Sequence, residues 1–433
     1  MGSFVFFLIG FSFLFVLVFF TPWFKNLSRW AKGVALLTKL FAALTMLYTY
    51  THVYPNRNEA DIFKYFDDSK ALSSLAVHSP NQFLRIITGQ WTDSDLPALN
   101  TMNYWFRSYD HGIANDNRII IRVNAVLNLI TQGIYELNLS FFLLLSLLGS
   151  YFLYSVFTHH SSSRWICFFT AFLLPSTLFW SSGILKEAVL LFALGGFVYS
   201  LHQVFYLRRY QSLFLLLLSL ALLMQIKVYI LFALVPFLGM GLLSDLLKSR
   251  WKGFLITLAL LGICFSLQAF FLPDWSLLST IQGKQFDFIQ MAKALNAGSQ
   301  VAVVPLDGTF WNLVKSGMLG LFNVLFFPNV FIIKPWYGAI FALENLLLWG
   351  LVVGAISSIL SSKSDWGWPH FWLIFGVFVF VVIGITVPVV GAIIRYKSPV
   401  LPFVVFGLYR MQSRNIKNYV EHFKIIKWLN TRL

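Results

Sequence analysis

Residues 139–157 read LSFFLLLSLLGSYFLYSVF and carry no charged side chain. A helix of about 20 mostly apolar residues is long enough to cross the hydrocarbon layer of a membrane. Similar runs occur elsewhere in the chain, at about 4–20, 33–54, 166–182, 187–206, 211–226, 228–243, 253–271, 338–360, 370–390 and 393–410. The sequence therefore predicts an all-α fold, a polytopic transmembrane helix bundle of about 11 spans.

The composition of the 433-residue chain agrees with a membrane protein. Hydrophobic residues make up 58% of the chain and charged residues 11%, whereas soluble domains carry about 25% charged residues. This difference excludes a soluble enzyme, a nucleic-acid-binding module and a disordered chain. The formal net charge of +15 then indicates a basic cytoplasmic face. Both cysteines, Cys167 and Cys264, lie in apolar runs, so neither a disulfide nor a Cys-based metal site is expected.

The distribution of charge predicts the orientation of the helices. No charge precedes Lys25, so we interpret residues 4–20 as a retained helix with its N-terminus outside. The inner segments are then 21–32, 158–165, 207–210, 244–252, 361–369 and the tail from Arg410. Half of the 32 Lys and Arg residues lie in these segments, against only three of the 17 acids: Asp245, Asp365 and Glu421. This asymmetry follows the positive-inside rule and places the C-terminus inside.

We treat residues 1–433 as a single integral membrane domain with three parts outside the spans. Residues 55–138 form a large outer loop with juxtamembrane helices, and residues 272–337 form a second outer loop. Residues 411–433 form a basic cytoplasmic tail.

Two stretches within the outer loops need a separate interpretation. Residues 118–136 carry two arginines and three amide side chains among apolar residues, which is typical of an amphipathic interfacial helix. Residues 311–333 are apolar but contain Lys315. Both flanks of this second stretch must lie outside, so we expect a re-entrant or surface helix there.

An acidic loop follows the second predicted span. Eight of the 17 acids lie in it, and Asp61 comes only a few residues after the span. On a helix, Asp61, Tyr65 and Asp68 would share one face. A carboxylate there would meet the head group of an amphiphilic substrate, which makes Asp61 the first catalytic candidate and Glu59 the second. A solvated loop is the alternative, which we favour for the other acids: Asp93, Asp95, Asp110 and Asp116.

Four cations interrupt apolar runs at predicted outer helix ends: Lys186, Lys227, Arg395 and Lys397. A cation at the centre of a membrane helix costs about 2.5–3.5 kcal/mol on translocon scales, so such residues are usually paired, snorkelling or functional. Snorkelling to the head groups, or a local pair of Lys186 with Glu187, is the structural alternative. Cations from three helix ends on one face indicate an anionic ligand, and the planar guanidinium of Arg395 suits phosphate.

Short motifs in these regions resemble the GT-C superfamily of polytopic glycosyltransferases. Asp61 opens a D-x-x-x-Y-F pattern in the first outer loop, and the stretch from Asn117 to Gln132 resembles an amphipathic helix lying on the membrane. Residues 175–187 resemble a segment of bacterial GT-C-like and polysaccharide-polymerase-like proteins. Residues 395–402 are similar to the R-Y-x-x-P-x-x-P stretch of such proteins.

The resemblance implies a glycosyltransferase in a bacterial inner (plasma) membrane with its active face outward. The donor would be a polyprenyl-phosphate or polyprenyl-diphosphate sugar, and the acceptor a saccharide, lipid or protein. Membrane lipids are expected as further partners, and no nucleic acid partner is expected. Asp61, or Glu59, would be the catalytic base. We expect substrate binding by these residues: Arg395, Lys397, Lys186, Lys227, Tyr65, Asp68 and Trp336. The sequence shows no metal-ligand spacing, so we assign no metal site. Use of a divalent metal ion as a cofactor is left open.

Three other functions compete with the transferase. A polymerase or ligase of lipid-linked oligosaccharides would use the same outer cations with a different acceptor. A lipid-linked-sugar flippase or other transporter would show inverted repeats and charges near the midplane, and no internal repeat is evident. A non-catalytic subunit of an envelope complex would lack an outer pocket. A groove joining Asp61 to Arg395 would separate the transferase from such a subunit.

Overall fold

The structure is a computed structural model that describes residues 2–53, 57, 60–106, 115–271, 277–294, 296–329, 338–361 and 367–433. Over these residues the all-α prediction is confirmed, and extended backbone pairs only at an isolated bridge between Gln300 and Val389. The α-helices are α1 Gly2–Phe20, α2 Arg29–Tyr48, α3 Asp61–His78, α4 Pro80–Thr88, α5 Leu96–Leu99, α6 Asn117–Thr131, α7 Tyr135–His160, α8 Arg164–Phe168, α9 Pro175–Trp180, α10 Lys186–Phe205, α11 Leu213–Ile226, α12 Val228–Leu246, α13 Arg250–Phe271, α14 Leu277–Ala294, α15 Phe310–Phe326, α16 Ala339–Ser361, α17 Trp368–Thr386, α18 Val390–Lys397, α19 Leu401–Met411, α20 Arg414–His422 and α21 Lys424–Arg432.

Six helical segments in the described part of the chain are long and apolar enough to cross a membrane: Arg29–Val53, Tyr135–His160, Lys186–Phe205, Val228–Leu246, Ala339–Ile359 and Trp368–Thr386. A seventh results if α18 and α19, which meet at a bend of 71°, are taken as one span. The prediction of about 11 spans is therefore not confirmed. Several of the other predicted spans form apolar helices of only 10–17 residues: Phe4–Phe20, Arg164–Leu173 and Tyr210–Ile226.

Two predicted spans are interrupted by prolines. The segment 166–182 ends its first helical part at Leu173, and Leu174 has extended backbone before Pro175 starts α9. A proline lacks the backbone N–H and disfavours helical geometry in the residue before it, so it can begin a helix but not continue one. The segment 393–410 bends by 71° near Pro399, although Ser398 before it keeps helical backbone (φ −56°, ψ −41°). Neither segment is the straight helix that the sequence predicted.

The two ambiguous stretches each form a helix that is shorter than expected. Helix α6 ends at Thr131 because Gln132 (φ 54°) and Gly133 (φ 67°) adopt left-handed backbone, which glycine tolerates without strain. Helix α15 ends at Phe326. Thr309 caps the start of α15, since its side chain accepts a hydrogen bond from the Asn312 amide.

Helices α7 and α10 form the centre of the bundle. Their backbones touch at Gly149 and Gly195, where a Cβ on Gly195 would lie 2.3 Å from the Gly149 carbonyl oxygen. Small residues of this kind let membrane helices approach closely. Phe157 of α7 stacks on Phe406 of α19, with ring centres 4.2 Å apart. This packing fixes the helices whose ends carry the candidate site.

A buried amide network attaches the first outer loop to the bundle. Asn138 of α7 donates to the side-chain oxygens of Asn124 (3.0 Å) and Asn128 (2.8 Å) on α6. Asn128 in turn donates to Ser69 of α3 at 3.0 Å. Buried polar groups that are mutually satisfied hold a unique arrangement. The network thus sets the position of α3, whose first residue is Asp61.

The predicted inner segments meet at one end of the bundle. Ser28 donates a hydrogen bond to the backbone of Arg432, and the Trp165 amide donates to Asn430 at 2.7 Å. Trp368 donates to Asp245 at 2.8 Å. The predicted outer ends of the helices meet at the other end, as described below. This segregation is what the predicted topology requires, and which end faces outward stays a prediction.

Candidate functional site

A cavity of about 720 Å³ lies where α3, α6, α10, α11, α12, α14, α17 and α18 come together. One side is apolar and is built mainly by Ile226, Phe232, Ile281, Phe288, Val382 and Ile383. The other side is charged and includes five of the predicted site residues: Asp61, Tyr65, Lys186, Lys227 and Arg395. Pockets of this size hold ligands as large as a cofactor.

Asp61 is the first residue of α3 and reaches the cavity between two cations. It forms ion pairs with Lys64 and with Arg395. Burial raises the pKa of the Asp61 carboxyl, but the charges of Arg395 and Lys64 together hold it below its usual value. The helix N-terminus also favours a negative charge at this position. Asp61 is therefore ionised, and its partner is the very residue that was predicted to bind phosphate.

Arg395 is held by two carboxylates from distant parts of the chain. Its Nε and Nη2 donate to Glu187 at 2.8 and 3.1 Å, and its Nη1 donates to Asp61. The guanidinium also lies 5.5 Å from the ring centre of Trp180. Glu187 is almost fully buried. Glu187 thus fixes the plane of the guanidinium by a bidentate contact, while the side toward Asp61 faces the cavity.

Lys186 points into the cavity from the first turn of α10. Its Nζ lies 2.8 Å from Asp116 and 2.7 Å from the side-chain oxygen of Asn117, and 5.3 Å from the ring centre of Tyr65. The local Lys186–Glu187 pair that the sequence offered as an alternative is therefore wrong. Neighbouring residues on a helix point to different sides, so Lys186 and Glu187 pair with different partners.

Lys227 is the single residue that separates α11 from α12. Lys227 is 7% exposed and its Nζ lies 3.7 Å above the ring centre of Tyr396. Within the described ranges, Lys227 makes no ion pair or side-chain hydrogen bond. A buried cation held by an aromatic face keeps its donors available for an anion.

Two predicted binding residues lie away from the cavity. Lys397 follows Arg395 by two residues on α18 and points to the opposite side, where its Nζ donates to Asn345 (2.6 Å) and to the Val324 carbonyl (3.2 Å). Asp68 accepts hydrogen bonds from the amides of Asn103 (3.0 Å) and Tyr104 (2.7 Å). Lys397 and Asp68 therefore hold neighbouring segments together and, contrary to the prediction, do not line the cavity.

Two further predicted residues, Glu59 and Trp336, lie outside the described residues, so their predicted roles stay predictions.

Several charged residues make contacts that the sequence did not predict. Asp116, expected to be solvated, pairs with Lys186, and Asp95, also expected to be solvated, is buried and paired with Arg85 at 2.7 Å. Lys64 could have been found from its position one turn after Asp61. Glu187 could have been found because an acid inside an apolar helix needs a cation partner.

The described lining carries more cations than carboxylates. Its cations are Lys64, Lys186, Lys227, Lys284 and Arg395, and its carboxylates are Asp61, Asp116 and Asp287. Even with Glu187 behind Arg395, one positive charge remains in excess. Within the described residues no group of three or more His, Cys, Asp or Glu side chains is arranged to hold a metal ion. The arrangement can bind an anion beside an apolar surface and present a carboxylate to it.

No protein-family model, curated protein or solved structure matches this chain. The resemblance to the GT-C superfamily therefore stays a prediction from its short motifs.

Proposed function

We propose that this protein is a membrane glycosyltransferase of GT-C type that moves a sugar from a polyprenyl-phosphate or polyprenyl-diphosphate donor to an acceptor at the outer face of the membrane. The observation that carries this proposal is the cavity in which Asp61, Arg395, Lys186 and Lys227 meet an apolar wall. A lipid-linked sugar has the same division into an apolar chain and an anionic head.

The donor fits the two sides of the cavity in one orientation. Its isoprenoid chain lies along the apolar side chains of α12, α14 and α17, where burial removes apolar surface from water. Its phosphate lies at the charged side, within reach of Arg395 and Lys227. Lys227 supports this placement most directly, because it is buried and its Nζ faces an aromatic ring instead of a carboxylate.

Binding of the phosphate changes the ion pairs around Arg395. The phosphate oxygens compete with Asp61 for Nη1 of Arg395, while Glu187 keeps Nε and Nη2 in place. As Asp61 loses this partner, its carboxylate becomes a stronger base, since the cation that stabilised its charge now faces the phosphate. The donor thus prepares the base that acts on the acceptor.

The transfer step uses one carboxylate and the cations. An acceptor hydroxyl oxygen attacks the anomeric carbon of the sugar, and the bond between that carbon and the phosphate oxygen breaks. Asp61 takes the hydroxyl proton, and the bonding electrons leave with the phosphate. Arg395, Lys227 and Lys186 stabilise the negative charge that develops on the leaving phosphate. Phosphate is a good leaving group, so no second carboxylate is needed to protonate it.

A polymerase or ligase that joins lipid-linked oligosaccharides is the second candidate. It uses the same donor site and the same base, and it differs only in a longer saccharide acceptor. The 720 Å³ volume of the cavity supports a polymerase or ligase, because a cavity of this size accommodates more than a single sugar.

The test is binding and transfer of a labelled polyprenyl-phosphate sugar by the purified full-length protein in nanodiscs. Arg395→Lys should weaken donor binding and transfer by about tenfold or more, because lysine keeps the charge but loses the planar fork. Lys293→Gln is the control, since Lys293 is an exposed cation of α14 that does not line the cavity.

Transfer by the wild type together with a selective loss in Arg395→Lys would support the proposal. The proposal would be overturned if the wild type bound no lipid-linked phosphate, or if Arg395→Lys and Lys293→Gln behaved alike. Movement of the intact donor between leaflets, without sugar transfer, would favour a flippase instead.

A further inference from the structure

A second group of charged and aromatic side chains lies beside the cavity, along one side of α6. Arg118 and Arg122 are four residues apart and therefore point to the same side of this helix. The Arg118 guanidinium lies 5.4 Å from the ring centres of Trp91 and Trp105, and 5.5 Å from that of Phe106. The Arg122 guanidinium lies 5.2 Å from the ring centre of Trp105. We call these five residues the arginine–tryptophan cluster.

Arg122 is the member of the cluster that lacks a partner. Within the described residues its guanidinium makes no hydrogen bond or ion pair, and its Nε is buried without an acceptor. Burial and the neighbouring charge of Arg118 lower the pKa of Arg122. A buried donor without an acceptor costs free energy, and so does the proximity of two like charges. An anionic ligand would relieve both.

Among the described residues, no carboxylate pairs with Arg122. Gly89 has left-handed backbone (φ 85°), and a Cβ there would lie 3.5 Å from Nη2 of Arg122. The loop backbone therefore passes close to the guanidinium without a side chain in between. Asp95, in the same loop, is committed to Arg85 at 2.7 Å.

The aromatic side chains give the cluster a surface for a sugar ring. Trp91 and Phe106 are partly exposed and meet edge to face, with ring centres 6.2 Å apart. The C–H groups on the face of a pyranose pack well on such rings. Phe106 also lines the cavity that holds Asp61. A saccharide on the cluster could therefore extend into the proposed catalytic cavity.

We propose that the arginine–tryptophan cluster binds the acceptor and that the acceptor is an acidic saccharide. Arg122 and Arg118 bind its carboxylate, and Trp91 or Phe106 packs against its ring. This inference rests on the proposed function, because it takes the transferred sugar to be received by a saccharide. It goes further by naming the charge of that saccharide and the residues that select it.

The experiment measures binding of a galacturonic-acid hexamer and of its methyl ester to the full-length protein in phosphatidylcholine nanodiscs. The two probes differ in charge but share the same sugar rings. The wild type should bind the acid form about tenfold or more tightly than the ester, as expected for charge-assisted hydrogen bonds. Arg122→Gln should abolish the preference, and Trp91→Ala should weaken both probes.

Two further variants keep the test decisive. Arg122→Lys keeps the charge and tests the fork geometry if Arg122→Gln does not fold, and it should retain only part of the preference. Lys70→Gln removes an exposed cation of the same outer loop and should leave the preference unchanged. Thermal unfolding of each variant shows whether the fold is intact.

Equal binding of the acid and the ester by the wild type would overturn the inference. So would an unchanged preference in a folded Arg122→Gln protein. Arg122-dependent retention of phosphatidylglycerol, without binding of the hexamer, would also overturn it and assign the cluster to lipid head groups. Binding of the lipid-linked donor is measured separately, so a failure of the proposed function is distinguishable from a failure of this inference.

Discussion

At the residue scale, the site depends on charges that neutralise each other in the absence of ligand. Asp61 and Glu187 both contact Arg395, and Asp116 contacts Lys186. Removing one partner of a buried pair leaves an uncompensated charge, which is strongly unfavourable. A ligand phosphate can replace Asp61 at Arg395 without leaving a charge unpaired, because Lys64 remains beside Asp61.

Asp61→Asn tests the assignment of the base. Transfer should fall by about 10²–10⁴-fold, the usual contribution of a positioned proton acceptor. Donor binding should hold or strengthen, because the amide no longer competes with phosphate for Arg395. The measurement is transfer of labelled sugar together with donor affinity, and Glu59→Gln is the comparison. Near-normal transfer by both single variants and by the double variant would remove the role from Asp61 and Glu59, and Asp116 would become the next candidate.

The pH dependence of transfer tests the exchange of partners at Arg395. Burial raises the pKa of Asp61, but the two cations hold it below its ordinary value in the free protein. Activity is therefore present above this low pKa and is lost as the pH falls through it. The profile of kcat/KM reports the free enzyme, and that of kcat reports the complex. As the pH falls, we expect kcat to be lost at a higher pH than kcat/KM. Loss of both at the same pH would contradict the exchange of partners at Arg395.

At the scale of elements, the cavity is built mainly by the ends of helices and less by their middles. The short helix α18 carries Arg395 and Tyr396 to the cavity and Lys397 to the other side. The 71° bend between α18 and α19 allows this helix to leave the direction of the span. Helix α17 brings Thr386 and Val387 to the same cavity, and its position is set by close packing on α15.

Gly384→Ala tests the contact between α15 and α17. A Cβ on Gly384 would lie 2.1 Å from the Gly320 carbonyl oxygen, so the two backbones would have to separate. Overpacking of this kind costs about 1–3 kcal/mol, and we expect a lower midpoint of thermal unfolding in detergent. Gly350→Ala is the matched control, because a Cβ there meets nothing within 4 Å. Equal midpoints for the two variants would contradict the described packing.

At the scale of the whole molecule, the segments predicted outside and the segments predicted inside lie at opposite ends of the bundle. The acidic loop, the cations and the cavity lie at one end, and the basic tail with its neighbouring loops lies at the other. Asp61 and Arg395 are 334 residues apart in the chain, so the site exists only when the whole bundle is assembled.

Single cysteines test the orientation of the bundle. Cys167→Ala and Cys264→Ala first remove the two free cysteines. Ser94→Cys in the outer loop should then react with an impermeant maleimide from outside intact cells. Ser249→Cys, in a segment predicted inside, should react only after permeabilisation. Reaction of both from the same side would show that the acids and the basic segments do not lie on opposite faces.

The sequence by itself determined that the chain is a helical membrane protein, and it named five of the residues that line the cavity. These properties are local. An apolar run predicts a membrane helix whatever its neighbours are, and a charge inside such a run is costly enough to indicate a pairing or functional role. It could not determine the number of spans, because prolines break two segments and other helices are short.

Only the tertiary structure decided which charges pair and which face the cavity. Arg395 and Lys397 stand two residues apart in one motif, yet one meets Asp61 and Glu187 while the other meets Asn345. Lys186 and Glu187 are neighbours in sequence but bind different partners. The physical reason is that ion pairs form over a few ångströms in space, between helix ends that the packing of the bundle brings together.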